Sequence, residues 1–395
     1  MARQKIIAQK FGGTSVATVE SRRAVVGHIR RAVSVGYRPV VVLSAMGRRG
    51  APYATDTLLD LIHAEGEPVS PRDQDLIFHC GEIISVAIMS HLLKVSGLPA
   101  VGLTGGQAGI YTNGRYRRGK IVRIDPSRML HHVETGEVPV ITGGQGVTPD
   151  ESEVNILGRG ASDTSGVAVG VAVGAEKIEI FTDVPGVAIA DPKIVPEAHF
   201  WDVISYRALI EMGIFGAKVM HPGAVLIGQK KGVPIVCRST FSEGPGTLIT
   251  EMQDESPLMG IPVMEPVNVL ILPKESSKRF LAKDELYDTF GAVVIQDRGS
   301  GKPVMAVAPG WCKQLENALA SKSVFPEAVL QEKGLVSLIG QSAFIAENFS
   351  RSESVLANLG VTAFLSEMTE TRSSFVVSRG QASHVVCALY EAFAE

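Results

Sequence analysis

Through the first 250 residues, short apolar runs bounded by Gly, Ser and Thr alternate with longer segments of helical spacing. The runs are Ile6–Ala8, Val40–Leu43, Ala100–Leu103, Val138–Ile141, Ile178–Phe181 and Ile235–Val236. The segments between them are Val19–Val35, Thr57–Ala64, Asp73–Val95, Asp163–Gly174 and Tyr206–Lys231. Strands that alternate with helices predict an α/β fold, a mainly parallel sheet sandwiched by helices. Ligands of such sheets sit in the crevice at the carboxyl ends of the strands, so the glycine-rich turns there are where chemistry is expected. The 41 glycines of the chain, many at the ends of apolar runs, fit tight strand-to-helix turns.

The pattern changes after Glu243–Pro266, a stretch rich in Pro, Gly and acids. Strands at Val267–Leu272, Ala292–Ile295 and Val304–Ala308 are expected with helices at Ser276–Phe290 and Cys312–Ala320. The order restarts with a strand at Leu335–Ile339 and a helix at Ser350–Leu359. Strands near Thr362–Leu365 and Ser374–Val377 and a helix at Ala382–Ala394 complete it. The expected organisation is a catalytic domain over 1–250, a linker over 251–266, and two βαββα units over 267–330 and 331–395.

A formal net charge of -3 argues against a nucleic-acid binder. No apolar stretch is read as long enough to span a bilayer, and Ile6–Ala8 is too short for a signal-peptide core. Cys80, Cys237, Cys312 and Cys387 are far apart and lack metal-ligand spacing, so buried free thiols in a reducing, cytoplasmic compartment are expected. No metal site is indicated by the nine histidines.

Lys10-Phe11-Gly12-Gly13-Thr14-Ser15 follows the first strand and precedes a helix. Adjacent glycines let backbone amides approach a phosphate, and Lys10 is a point charge for a transferring phosphoryl group. Gly158-Arg159-Gly160-Ala161-Ser162-Asp163 is a second glycine-rich turn. Its arginine suits bidentate recognition of a carboxylate. Asp163 either caps the following helix or orients a lysine or magnesium. Thr182-Asp183 follows another strand, and Lys218 lies in Gly216-Ala217-Lys218-Val219. Gly114-Arg115-Tyr116-Arg117-Arg118-Gly119-Lys120-Ile121 nearly matches a P-loop, but it lacks the Ser or Thr that holds magnesium and reads as an exposed basic loop.

Taken together, in order and at natural spacing over residues 4 to 250, these motifs resemble the aspartate kinase (aspartokinase) family within the amino-acid kinase fold. The tail resembles that family's paired ACT units. The resemblance implies ATP-dependent phosphorylation of the side-chain carboxylate of L-aspartate to 4-phospho-L-aspartate, with ATP and Mg²⁺ as cofactors. It implies that Lys10 and Lys218 bracket the transferring phosphate, and that Asp163 and Ser162 organise the centre. Ser44 would line the phosphate path beside Gly12 and Gly13 and belong to the substrate set. Thr55, Glu82 and Arg159 would hold aspartate, with Glu82 near its α-ammonium and Arg159 on its α-carboxylate. Thr182, Asp183 and Lys193 would meet the nucleotide. A homo-oligomer joined through the ACT units, and an effector such as lysine or threonine, are further implications.

The chain departs from the family pattern at several points. Gly143-Gly144 replaces Gly-Phe, Ala161 replaces a glycine, Ala188 a tyrosine, Lys193 an arginine, and His79 a common serine. Pro273–Lys278 lacks the usual Pro-Gly turn. Two rivals stand beside the aspartate reading: another carboxylate kinase of the same fold, and a catalytically weakened paralogue acting as an amino-acid sensor or regulatory subunit.

Overall fold

The computed structural model describes residues 5–158, 160–252, 256–278 and 283–394. They fall into two compact units, Met1–Val187 with Val219–Glu251 and Ala188–Lys218 with Met252–Glu395. The segment 188–218, which the sequence reading kept with the catalytic part, clusters with the tail.

In the first unit the strands run, from one edge, Thr247–Thr250, Ile235–Ser239, Lys177–Thr182, Lys5–Phe11, Tyr37–Leu43, Val138–Thr142 and Ala100–Leu103. All neighbours are parallel except the first pair. Each expected strand is present, and most are longer than their apolar kernel. The Val19–Ser34 and Pro71–Val95 helices cover one face, where Phe11, Val25, Ile29, Leu43, Met89, Leu93 and Phe181 form a core. The Ala161–Ala172 helix packs against the central strands closely. A side chain at its Gly170 would come within 2.6 Å of Ile178 and 2.9 Å of Ala8, so this helix reaches the sheet only because it is built of small residues.

Three sequence expectations are corrected in this unit and at its boundary. The helix expected over Tyr206–Lys231 is two helices, Tyr206–Ile214 and Pro222–Lys231. Gly216, at φ +118°, and Pro222 break the run between them. The Pro71–Val95 helix is 25 residues long and, by length and composition, apolar enough to cross a membrane. One face of it packs into this unit, with Gln74, Asp75, Glu82, Ser85 and Ser90 buried along it, while Leu76, Ile83 and Ile88 are exposed. Cys80 on that helix is exposed and Cys387 is half-buried, while Cys237 and Cys312 are buried; all four are free thiols.

A small sheet missed in the sequence, Ile121–Ile124, Ile110–Thr112, Gln145–Val147 and Val154–Ile156 in that order, is made of strands three or four residues long, too short for a periodic signal. The near-P-loop lies beside it. Arg115, Arg117, Arg118 and Lys120 are exposed as expected, but the loop is anchored. Buried Asp75 accepts hydrogen bonds from the backbone N–H of Arg117 at 3.0 Å and of Ile156 at 3.0 Å.

In the second unit an antiparallel sheet runs Val293–Gln296, Pro303–Val307, Val263–Ile271, Ala328–Gly340, Arg372–Ser378 and Leu365–Met368. The long strands Val263–Ile271 and Ala328–Gly340 pair at its centre, joining two βαββα halves into one sheet. The first half carries helices Lys283–Phe290 and Cys312–Ala320, the second Ser342–Asn358 and Ala382–Phe393. The helix expected over Ser276–Phe290 is a 3-10 turn at Lys274–Lys278 and the helix from Lys283; residues 279–282 between them lie outside the described residues. The Ser342–Asn358 helix begins eight residues before the expected Ser350, because Phe344, Ile345 and Phe349 continue its apolar face into the core.

Candidate active site

Four strands of the first unit end together, and their turns are laced by backbone hydrogen bonds. Gly12 N–H donates to Phe181 O at 3.3 Å, Ser44 N–H to Phe11 O at 3.2 Å, Gly47 N–H to Gly13 O at 2.9 Å, and Gly143 N–H to Leu43 O at 2.7 Å. A Cβ at Gly13 would lie 2.7 Å from Gly47 O and 2.8 Å from Ala45 O, so no other residue fits there. At Gly12 a Cβ would stand 3.8 Å from the Lys10 ammonium; the glycine leaves that charge approachable by an anion.

Lys10 lies between Val42 and Ile180 on the neighbouring strands. Its Nζ sits 2.6 Å from Asp163 Oδ1, with side-chain exposures of only 9% and 17%. Gly166, one turn along the helix from Asp163, makes room for the lysine stem, since a Cβ there would be 2.9 Å from Lys10 Cβ. Of the two sequence readings of Asp163, orienting a lysine is the one the structure realises: the helix N-cap is Gly160, without a side-chain cap, and the carboxylate is on Lys10. Its other oxygen accepts from the His221 N–H at 3.4 Å. Cys237 lies against the same pair, and burial pushes its thiol up to about 12, leaving it an inert neighbour.

Glu82 is 3% exposed on the Pro71–Val95 helix. Burial pushes its carboxyl up to about 8, opposed by hydrogen bonds from backbone N–H groups, including that of Ala45, and from the Thr55 side chain. The structure thus brings together Thr55 and Glu82, two of the three residues expected to hold aspartate, against the turn that carries Ser44 and Ala45. Gly81 permits this approach, since a Cβ there would be 3.0 Å from Ala45 Cβ and 3.2 Å from Tyr53 O. Glu82 Oε2 has no hydrogen-bond partner, nor do the buried Ser85 Oγ and Thr142 Oγ1. His79 touches Gln145, and burial lowers its imidazole pKa. Ser85, Thr142 and Gln145 carry no motif in the sequence; the spacing of His79, Glu82 and Ser85 alone places those three on one helix face.

Gly144 and Ala161, two departures from the family pattern, meet each other. A Cβ at Gly144 would lie 3.0 Å from Ala161 Cβ, and its φ is +75°. The methyl on one turn fills the space vacated on the other. Gly144 N–H donates to Ser165 Oγ at 2.9 Å, fixing this turn to the Ala161–Ala172 helix. Ser162 begins that helix beside Gly143, a Cβ of which would be 3.0 Å from Ser162 Cβ. Arg159 lies outside the described residues.

At the end of the Lys177–Thr182 strand, Thr182 Oγ1 donates to Asp183 at 3.1 Å, and Asp183 is paired at 2.8 Å with Arg48, a residue the sequence motifs did not single out. Lys193 and Lys218 belong to the second unit and are exposed. Among the described residues no three His, Cys, Asp or Glu side chains gather as a metal cluster. A Mg²⁺ arriving with a nucleotide would be held mainly by its phosphates and water, with Asp163 a carboxylate able to join them.

The model of the amino acid kinase family matches residues 5–239. The aspartokinase of Thermus thermophilus is 34% identical over 367 residues, 91% of this chain and 82% of that protein. The chain belongs to the aspartokinase family. Aspartokinase 1 of Bacillus subtilis is 46% identical over 246 residues, which span 62% of this chain and 61% of that protein. A solved structure of Escherichia coli aspartokinase III in complex with aspartate and ADP has a TM-score of 0.80 and 21% identity, covering 99% of this chain and 100% of that one. That likeness extends the aspartokinase fold to the tail, whose antiparallel sheet is consistent with paired ACT units.

Proposed function

We propose that this chain transfers the γ-phosphoryl group of ATP to the side-chain carboxylate of L-aspartate, giving ADP and 4-phospho-L-aspartate. The observation that carries the reading is the shielded Lys10–Asp163 pair at the point where four strand ends and two glycine-rich turns converge. A carboxylate oxygen attacks phosphorus as the bond to the ADP oxygen breaks. The nucleophile is already ionised, so no strong base is required. The task is to bring two anions together and to stabilise charge on the transferring group.

In this reading Lys10 faces the phosphoryl oxygens and Asp163 fixes its position. Lys218 approaches the phosphates as a second cation, and Lys193, Thr182 and Asp183 serve the nucleotide. Mg²⁺ bound with ATP would neutralise the phosphates. Glu82 takes the α-ammonium of aspartate, Arg159 the α-carboxylate, and Thr55, Ser44 and Ser162 complete the substrate set. The buried Glu82 Oε2, without a hydrogen-bond partner among the described residues, supports an ammonium-bearing substrate. An amino-acid effector such as lysine or threonine at the second unit, a homo-oligomer built through it, and a cytoplasmic setting belong to the same proposal.

Hydroxamate trapping with ATP, Mg²⁺ and a panel of amino acids tests it. Aspartyl hydroxamate is expected, with glutamate turned over far more slowly, and lysine, threonine and diaminopimelate are added in turn to reveal an effector. ATP binding without aspartate-dependent ADP release would overturn the assignment in favour of a sensor.

A further inference from the structure

We infer that Arg372, on the Arg372–Ser378 strand, is a positioning residue for Lys218; this rests on the catalytic role proposed for that lysine. Lys218 closes the segment Ala188–Lys218, which belongs to the second unit. The Tyr206–Ile214 helix within it is held to the antiparallel sheet through Glu211. One oxygen of Glu211 meets Arg372 Nη1 at 2.9 Å, and the other accepts from Thr371 Oγ1 at 2.9 Å. The Arg372 guanidinium also lies 3.7 Å over the Phe215 ring. Its remaining donors go to Glu367 and, at 3.0 Å, to Ser374 Oγ. Glu367 in turn accepts from the Gln296 N–H at 2.8 Å, so the clamp reaches the edge strand of the sheet.

The next residues are pinned as firmly. Tyr287 donates its hydroxyl to Gly213 O at 3.2 Å. Gly216 runs so close to the central strand that a Cβ would fall 2.3 Å from Val263 O. Ala217 N–H donates to Met212 O at 2.9 Å. Lys218 is the first residue beyond these anchors, and it is exposed. A long, flexible ammonium side chain is useful in phosphoryl transfer only if its backbone is fixed. Here one arginine, 8% exposed and shared by two carboxylates and an aromatic ring, fixes it.

Truncating Arg372 would leave two shielded carboxylates unpaired and risks unfolding, so the test uses Glu211→Gln and Thr371→Val. Each is made alone and combined with Lys218→Ala. Glu211→Gln is expected to lower kcat about tenfold, with the KM for aspartate unchanged. Thr371→Val is expected to act in the same direction to a smaller extent. In the Lys218→Ala background neither should lower kcat further. Full additivity, or unchanged kcat in both single variants, overturns the positioning role. A Lys218→Ala enzyme with undiminished kcat overturns instead the role of the lysine itself, and the two failures are thereby told apart. If Glu211→Gln does not fold, Thr371→Val in the two backgrounds decides.

Discussion

The two units treat buried polar groups in opposite ways. In the antiparallel unit they satisfy one another: Arg372 joins Glu211 to Glu367, Ser337 bonds Ser374 at 2.8 Å, and Asp297 accepts from Ser300. In the parallel unit Glu82 Oε2, Ser85 Oγ and Thr142 Oγ1 are buried without a hydrogen-bond partner among the described residues. Among the described residues, the side chains left in that condition belong to the parallel unit. An unmatched buried polar atom costs stability, so those of the parallel unit are groups that a ligand could satisfy. The second unit has the character of a scaffold whose polar contacts are already spent on its own geometry.

The largest effect that sharpens this contrast is expected at Lys10. Lys10→Ala should lower kcat by roughly 10²–10³-fold, since it removes a shielded charge aimed at the transferring group. A loss under threefold would remove the parallel unit from the chemistry. Glu82 gives the next largest effect and a pH signature. Its folded pKa, about 8, lies above the ordinary 4.5, so its stabilising contribution is complete below pH 4.5 and fades as pH rises through 8. Binding an ammonium requires the opposite state, the carboxylate. The apparent KM for aspartate is therefore expected to fall by roughly tenfold per pH unit from pH 6 towards pH 8, then level off. In Glu82→Gln the KM should be higher and this slope absent. A wild-type KM flat across that range would dissociate Glu82 from the ammonium.

Much of this was legible in the chain. Apolar runs marked the kernel of every parallel strand, and glycines marked the turns, because a sheet buried on both faces demands the first and close phosphate approach the second. Lys10, Asp163, Thr55 and Glu82 were each singled out through motifs, but Lys10 was expected to partner Lys218, and its contact with Asp163, far along the chain, left no local signal. Other features depend on contacts between distant segments and leave no local period. Arg48 on Asp183, the Arg372 clamp, and the transfer of 188–218 to the second unit are of this kind. Asp75, 81 residues from Ile156, holds the small sheet in place, and no spacing rule reaches that far. The membrane-length apolarity of Pro71–Val95 is not a continuous apolar run, because Gln74, Asp75, Glu82, Ser85 and Ser90 interrupt it. Those same residues are buried and mark the face that packs into the first unit.

The exchange of bulk between Gly144 and Ala161 predicts an intermediate effect. Gly144→Ala alone places two methyl carbons about 3.0 Å apart on a backbone of φ +75°, so both strain and crowding oppose it. Turnover should fall several-fold, on the order of 1–3 kcal/mol of overpacking being placed at the site. Combining it with Ala161→Gly should recover part of that loss by relieving the crowding, leaving the φ cost. No recovery in the double variant would mean that the two departures are unrelated, and the weakened-paralogue reading would gain ground.

The smallest expected effect is the most direct comparison, because one substitution is made in both units. Ser337 and Ser374 are fully buried and share a hydrogen bond. Ser337→Ala should cost about 1 kcal/mol, read as a lower midpoint in urea at unchanged slope. Ser85 is equally buried, at 1% exposure, but its hydroxyl has no partner. Ser85→Ala removes a desolvated group that gains nothing in return, so stability should hold or rise slightly, at the expense of whatever the hydroxyl contributes once substrate is bound. Equal losses at the two positions would show that the parallel unit satisfies its polar groups after all, through ordered water, and its readiness for a ligand would lose this support.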